Sequence, residues 1–426
     1  MALARLACAP VRSLWFCRFQ RRTMNATSTP RNQRNFGLDV LRSAAIIVVL
    51  TNHCFLGFFI GSGIVSYGGW RAVVSSCAVF AIEWLFVLSG FLIGSMMIRS
   101  FETRGRWWPS ARDFWLRRWF RTVPNYYLFL AINAALAWWG IGEGRFSWSF
   151  AVFSQNLAWP ETKPLFFAEA WSLALDEWFY FLMPLLLGLV ALAARLQRQK
   201  VFWIVALTLI LAPTMLRCMA VPPAHFFEWD EHIRRVTIMH LDATGWGVLA
   251  AILSRWHPGW WQSRQGLKAL AGLLLMLVAV AAMFYLMFLD WRGFAGGRFN
   301  DLALITAPTA GVVLILPWLS TRSPQGRIAR WLSARIGDYS YSIYLCHYPL
   351  IFIFLHTIKW LDWDMALVVW PVVLTWLTLV LLVSAAVFHS FEKPVADLRE
   401  RFTRRVQAGP FGTQGKAAIY TETESR

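Results

Sequence analysis

Two residues in one apolar stretch carry the clearest chemical potential of this chain, Arg42 and His53 in GLDVLRSAAIIVVLTNHCFLGFFI (Gly37–Ile60). The stretch is long enough to cross a bilayer core of about 30 Å. Ionisable groups at that depth are costly, so they turn inward and act on ions or substrates. Eleven residues separate the pair, which on a helix returns to within about 20° of one face and spaces them by about 16 Å. Arg42 then sits near one membrane surface and His53 well inside. The bland alternative is a snorkelling arginine and a histidine bonded to a helix carbonyl.

Other polar residues fall into two tiers. Arg42, Arg117, Arg118 and Arg121, with Asp338, lie towards the inner side, whereas His53, Glu83, Asp176, Glu177, His240, Asp242 and His347 lie in the middle or outer half. Five separate spans each bring a histidine or carboxylate to similar depth, and a shared polar cavity is the simplest account. Guanidinium groups hold phosphates in bidentate fashion and keep their charge, as a polyphosphate donor requires. A neutral imidazole takes a proton from a hydroxyl near neutral pH, and an adjacent carboxylate would orient it. The combination fits acyl transfer from a coenzyme A thioester to an alcohol. A proton-coupled transporter or exporter, using the same histidines and carboxylates as a relay, is the main alternative, and an inert membrane scaffold a second.

The elements that must position these groups are helices in a membrane. Hydrophobic residues make up 58% of the 426-residue chain and charged residues 15%, which excludes an ordinary soluble domain. The expected fold is an all-α polytopic bundle of about ten spans, near 37–60, 73–98, 123–141, 171–194, 201–219, 236–254, 267–289, 301–319, 337–357 and 365–389. Roughly three quarters of the lysines and arginines fall on one side of that alternation, which predicts that both termini and the Arg99–Arg121 loop face the cytosol. The loop from Ile141 to Ala170, with Trp148 and Trp159, then faces out and suits a lid or an acceptor-binding surface.

The net charge of +18 is spread over short loops, with no basic recognition helix, so no nucleic-acid partner is expected. The six cysteines form no CxxC pair, which supports neither a disulfide framework nor a metal site. Residues 1–36 read as a cytosolic tail in which Met24 is an alternative start, 37–394 as the membrane domain, and 395–426 as a disordered cytosolic tail.

Six segments in order resemble the acyltransferase-3 family of integral membrane O-acyltransferases. GLDVLRSAAIIVVLTNH matches its Arg-ten-residues-His signature at Arg42 and His53. EWLFVLSGFLIG (Glu83–Gly94), FWLRRWFRTVP (Phe114–Pro124), WSLALDEWFYFLMP (Trp171–Pro184), IGDYSYSIYLCHYPL (Ile336–Leu350) and the closing Phe391-Glu392-Lys393-Pro394 are similar to its later segments. The resemblance runs from Asn35 to Pro394. Trp178 stands where a Gln is common, and Asp176 where a Glu is frequent.

The resemblance implies transfer of an acetyl or other short acyl group from cytosolic acyl-CoA, as co-substrate rather than resident cofactor. The acceptor would be a glycan or glycolipid hydroxyl on the outer side of a bacterial inner membrane. It makes His53 the general base or acyl-carrying nucleophile, with Glu177, Asp176 and His347 as further catalytic candidates and Glu177 the favoured partner of His53. Arg42, Arg117, Arg118 and Arg121 become the donor-binding set. The soluble esterase-like domain of some relatives is not seen after Pro394, so the chain would complete transfer alone or with a partner protein. Ser89-Gly90 reads as a close helix-packing site rather than a nucleophile.

Overall fold

The computed structural model describes residues 35–64, 70–104, 107–194, 196–288, 298–323 and 326–398. The expected tails, including the Met24 start, lie almost wholly outside these. Ten long helices follow in order: α1 (Phe36–Cys54), α2 (Trp70–Arg104), α3 (Trp107–Trp138), α4 (Ala170–Ala194), α5 (Arg198–Met219), α6 (Asp242–Trp256), α7 (Gln265–Phe288), α8 (Arg298–Ser320), α9 (Arg327–Trp360) and α10 (Met365–Val387). No strand occurs among the described residues. Helices satisfy every backbone polar group within the segment, which a lipid environment demands.

Among the described residues, eight helical segments are long and apolar enough to cross a membrane: Phe36–Ile60, Val73–Glu102, Ala170–Ala193, Arg198–Met219, Gln265–Leu286, Asn300–Ser320, Arg327–Trp360 and Met365–Leu398. A ninth arises if Phe226–Arg234 and Thr237–Trp256, which meet at 97°, form one broken span. The expectation of ten differs at two places. The span expected at 236–254 is this bent pair rather than a straight rod. The span expected at 123–141 belongs to α3, whose polar residues keep it below the apolarity of a lipid-facing helix. Asn125 and Asn133 are buried there, and the Asn125 amide donates to Ser342 Oγ at 3.1 Å and to Glu392 at 3.2 Å. Their polarity serves the interior of the bundle.

Exposed leucines mark where lipid lies. Leu267, Leu270, Leu274 and Leu277 on α7, and Leu367, Leu374 and Leu381 on α10, recur at helical spacing on outward faces. The core is apolar and aromatic, with Phe86, Phe179, Val248 and Leu345 almost fully enclosed. α6 packs most extensively on α2, and glycine makes that possible. A Cβ on Gly90 would lie 2.0 Å from the Thr244 carbonyl oxygen, and one on Gly247 would lie 2.2 Å from that of Val87. The two backbones touch at this crossing, in keeping with the packing role read for Ser89-Gly90.

The connection between α3 and α4 is tied down. The Asn156 amide donates to the carbonyls of Trp171 (3.1 Å) and Arg235 (2.6 Å), and Gln155 donates to that of Ala170 (3.1 Å). Trp178 Nε1 donates to the Phe153 carbonyl at 2.8 Å. Side chains replace the ladder that a helix would have supplied.

Candidate active site

His53 lies at the end of α1, where the helix loosens into a π-helical turn over Phe55–Ile60. α9 packs against α1 there and brings in His347, which is fully buried. His53 Nδ1 and His347 Nε2 are 2.8 Å apart, and the rings lie nearly parallel with centroids 5.0 Å apart. The Tyr348 ring adjoins His53 at 4.7 Å, and Trp376 of α10 donates its indole N–H to the His347 carbonyl at 3.2 Å. With Nδ1 engaged, His53 keeps Nε2 without a hydrogen-bond partner among the described residues.

His53 forms part of the wall of a cavity of about 540 Å³. Tyr344 and Tyr348 of α9, Glu161 and Glu169 of the α3–α4 connection, and Arg234 and Arg235 of the bent segment line it as well. The size suits a small-molecule site. All four carboxylate oxygens of Glu161 and Glu169 are buried and accept no hydrogen bond from another described residue. Burial pushes the Glu161 carboxyl up to about 7, against the opposing pull of Arg235.

The inner-tier residues form a different cluster. Arg118 donates to the Tyr180 hydroxyl at 2.7 Å, and its guanidinium lies 4.2 Å from that ring's centre. Ser89 shares the same hydroxyl at 3.0 Å. Arg121 is exposed and lies within electrostatic range of Arg118, Arg42 and Glu392. Arg117, next to Arg118 on α3, is half-buried. Asp176 feels the charges of Arg118 and Arg42. Glu177 accepts a hydrogen bond from Thr122 at 2.6 Å. The structure therefore groups both carboxylates with the arginines and gives His53 an imidazole as neighbour instead. Successive helical positions already forbade both from facing one residue, and the packing of α4 on α3 turns the pair towards Arg118 and Thr122.

The model of the acyltransferase-3 family, described as an acyltransferase domain, matches residues 35–390. The chain belongs to this family. It is similar to the putative peptidoglycan O-acetyltransferase YrhL of Bacillus subtilis, 25% identical over 397 residues covering 87% of this chain and 56% of the relative. It is also similar to the O-acetyltransferase OatA of Staphylococcus aureus, 24% identical over 349 residues covering 74% of this chain and 50% of the relative. The chain thus spans about half the length of these curated relatives. No solved structure matches it.

Sequence reasoning placed Glu83, His240 and Asp242 at depth in this acyltransferase-family chain but missed the groups around them, Arg217, Asp230, Arg234 and Arg235. Glu83 accepts from Arg234 (3.2 Å) and meets His240 Nε2 (2.7 Å), while Asp230 accepts from Arg234 (2.8 Å) and Arg235 (2.7 Å). The Arg234 guanidinium lies 4.8 Å from the centre of the Trp171 ring, and the His240 ring is stacked with that indole at 6.3 Å. Behind them Arg217 of α5 grips Asp242 of α6 through two bonds of 2.9 and 2.6 Å, both side chains being fully buried. The Asp230–Arg234 spacing of four was the one visible signal. Glu392, in the closing motif, is likewise buried and accepts from Ser342 at 2.6 Å.

Proposed function

We propose that this chain is a membrane O-acyltransferase that moves an acetyl or similar short acyl group from acyl-CoA to a hydroxyl of a cell-envelope glycan. The observation that carries the reading is the cavity-lining imidazole of His53, braced by His347 and free at Nε2. In the tautomer with the proton on Nδ1, His53 donates to His347 and offers the Nε2 lone pair to the cavity. That nitrogen takes the acceptor's hydroxyl proton as its oxygen attacks the thioester carbonyl. The C–S bond breaks, the ester C–O bond forms, and the proton passes on to the departing thiolate. In a two-step variant Nε2 itself carries the acyl group between thioester and hydroxyl.

Arg42, Arg118 and Arg121 suit the donor's phosphates, with Arg117 beside them. One helix separates Arg42 from His53 by about 16 Å, a distance comparable with an extended pantetheine arm. The donor would enter from the cytosolic side, where both termini lie in this reading, and the acceptor from the side of the α3–α4 connection. The name of one relative, a putative peptidoglycan O-acetyltransferase, supports a glycan acceptor.

The test is acetyl transfer from acetyl-CoA to a peptidoglycan disaccharide by purified protein in lipid nanodiscs. His53→Gln keeps a hydrogen-bonding side chain but takes no proton, and should lose about 10²–10⁴-fold in rate while still binding coenzyme A. A His53→Gln protein with near-native turnover overturns the assignment.

A further inference from the structure

The cavity beside His53 holds an unbalanced pair of acids. Two of its other carboxylates are matched, Asp230 by Arg234 and Arg235, and Glu231 by Lys163. Glu161 and Glu169 receive no such bond, and Glu169 is only 2% exposed. Buried polar groups in native proteins are nearly always satisfied, and an unpaired carboxylate is among the most expensive exceptions. Their segment is anchored at both ends. Glu169 immediately precedes α4, its carbonyl accepts from Ser172 at 3.0 Å, and Gln155 and Asn156 anchor the chain upstream. Water or a ligand in the cavity supplies the donors.

We propose that Glu161 and Glu169 form the acceptor subsite, accepting hydrogen bonds from neighbouring hydroxyls of a sugar ring whose reactive hydroxyl lies at His53 Nε2. The inference rests on the acyl-transfer reading and names what selects the acceptor. A carboxylate accepts through two oxygens with about four lone-pair sites, so two carboxylates match the run of donors along a pyranose edge. Hydroxyls satisfy these oxygens without adding charge. Arg234, Arg235 and Lys163 on the same wall are already paired to Asp230 and Glu231, so a cationic sugar is the competing occupant that the titration has to separate from a neutral one. The Glu161 carboxyl, raised to about 7, also holds a proton part of the time near neutrality and then donates to a ring or hydroxyl oxygen.

The experiment is calorimetric titration of the full chain in nanodiscs with neutral diacetylchitobiose and with its deacetylated, cationic counterpart. Wild type should bind the neutral disaccharide better, and Glu161→Gln and Glu169→Gln should each weaken that binding about ten- to a hundredfold. Coenzyme A affinity should stay unchanged in both variants, which also reports that they are folded. Unchanged sugar affinity in both variants, preference for the cationic sugar, or binding of neither sugar overturns the subsite. Loss of sugar binding in the variants of a wild type that transfers no acetyl group keeps the subsite and overturns the acyl-transfer reading instead.

Discussion

His53 Nδ1 and His347 Nε2 lie within 2.8 Å although 294 positions separate them in the chain. Only the packing of α9 against α1 makes this contact. A hydrogen bond between two imidazoles needs one donor and one acceptor, so each ring fixes the tautomer of the other. His347 in turn is held by its burial and by the Trp376 indole at its carbonyl.

His347→Ala should therefore slow acyl transfer by about 10²-fold, because the reacting imidazole loses the partner that aims it. His347→Gln, whose side-chain carbonyl accepts the same bond, should recover most of that loss. Steady-state rates of both variants, with coenzyme A titrated in parallel, check the expectation. Equal rates for wild type and His347→Ala would reduce the contact to packing.

Arg121→Ala should weaken coenzyme A binding by about one to two decades, the worth of a charge-assisted phosphate contact. Arg121 is the clean choice, since Arg118 also holds Tyr180 and its loss would disturb α4. Arg121→Lys should recover only part of the affinity, because an ammonium cannot grip two phosphate oxygens in a fork. Calorimetric titration with coenzyme A measures both.

Asp242→Ala should destabilise the bundle by about 3–5 kcal/mol, because it leaves the Arg217 guanidinium buried without its counter-charge. The double replacement Arg217→Met with Asp242→Leu should regain most of that stability. Thermal unfolding in detergent, followed by intrinsic tryptophan fluorescence, separates the three proteins. A single mutant as stable as wild type would mean that water reaches this pair.

The raised Glu161 carboxyl has a signature in stability against pH. Burial lifts it from 4.5 to about 7, so the folded chain holds that proton more tightly than the unfolded chain does. The favourable contribution is complete below about pH 4.5 and disappears as pH rises through about 7. Glu161→Gln should match wild type near pH 4.5 and unfold at a higher temperature near pH 8. Melting curves across that window with the same slope in both proteins would place the carboxyl in water.

Much of this arrangement is legible in the residues. The Arg42–His53 spacing holds because one helix carries both, and periodicity alone defines it. His347 was marked by its depth, but its contact with His53 depends on which helix lies beside α1, and no local pattern encodes that. The same blindness turned Glu177 towards His53 in expectation, whereas α4 presents it to Thr122. Arg217 reads as the end of a span and is in fact interior, paired to Asp242 across two helices. Glu161 and Glu169 sit in a non-repeating connection, where hydrophobic period says nothing about direction. The bend before α6 escaped because the apolar run starts at residue 236, and the short arm Phe226–Arg234 before it is rich in charge and shows no hydrophobic period.

The crossing of α2 and α6 at Gly90 and Gly247 has a consequence for motion. Backbone rests on backbone there, with no flexible side chain between them to yield. Sliding or rocking one helix on the other would drive carbonyl oxygens into main-chain atoms. α2 and α6 therefore move as one piece, and any opening of the bundle has to occur at its other helix contacts. Glu83 of α2 and Asp242 of α6 then keep their places relative to each other while the rest shifts.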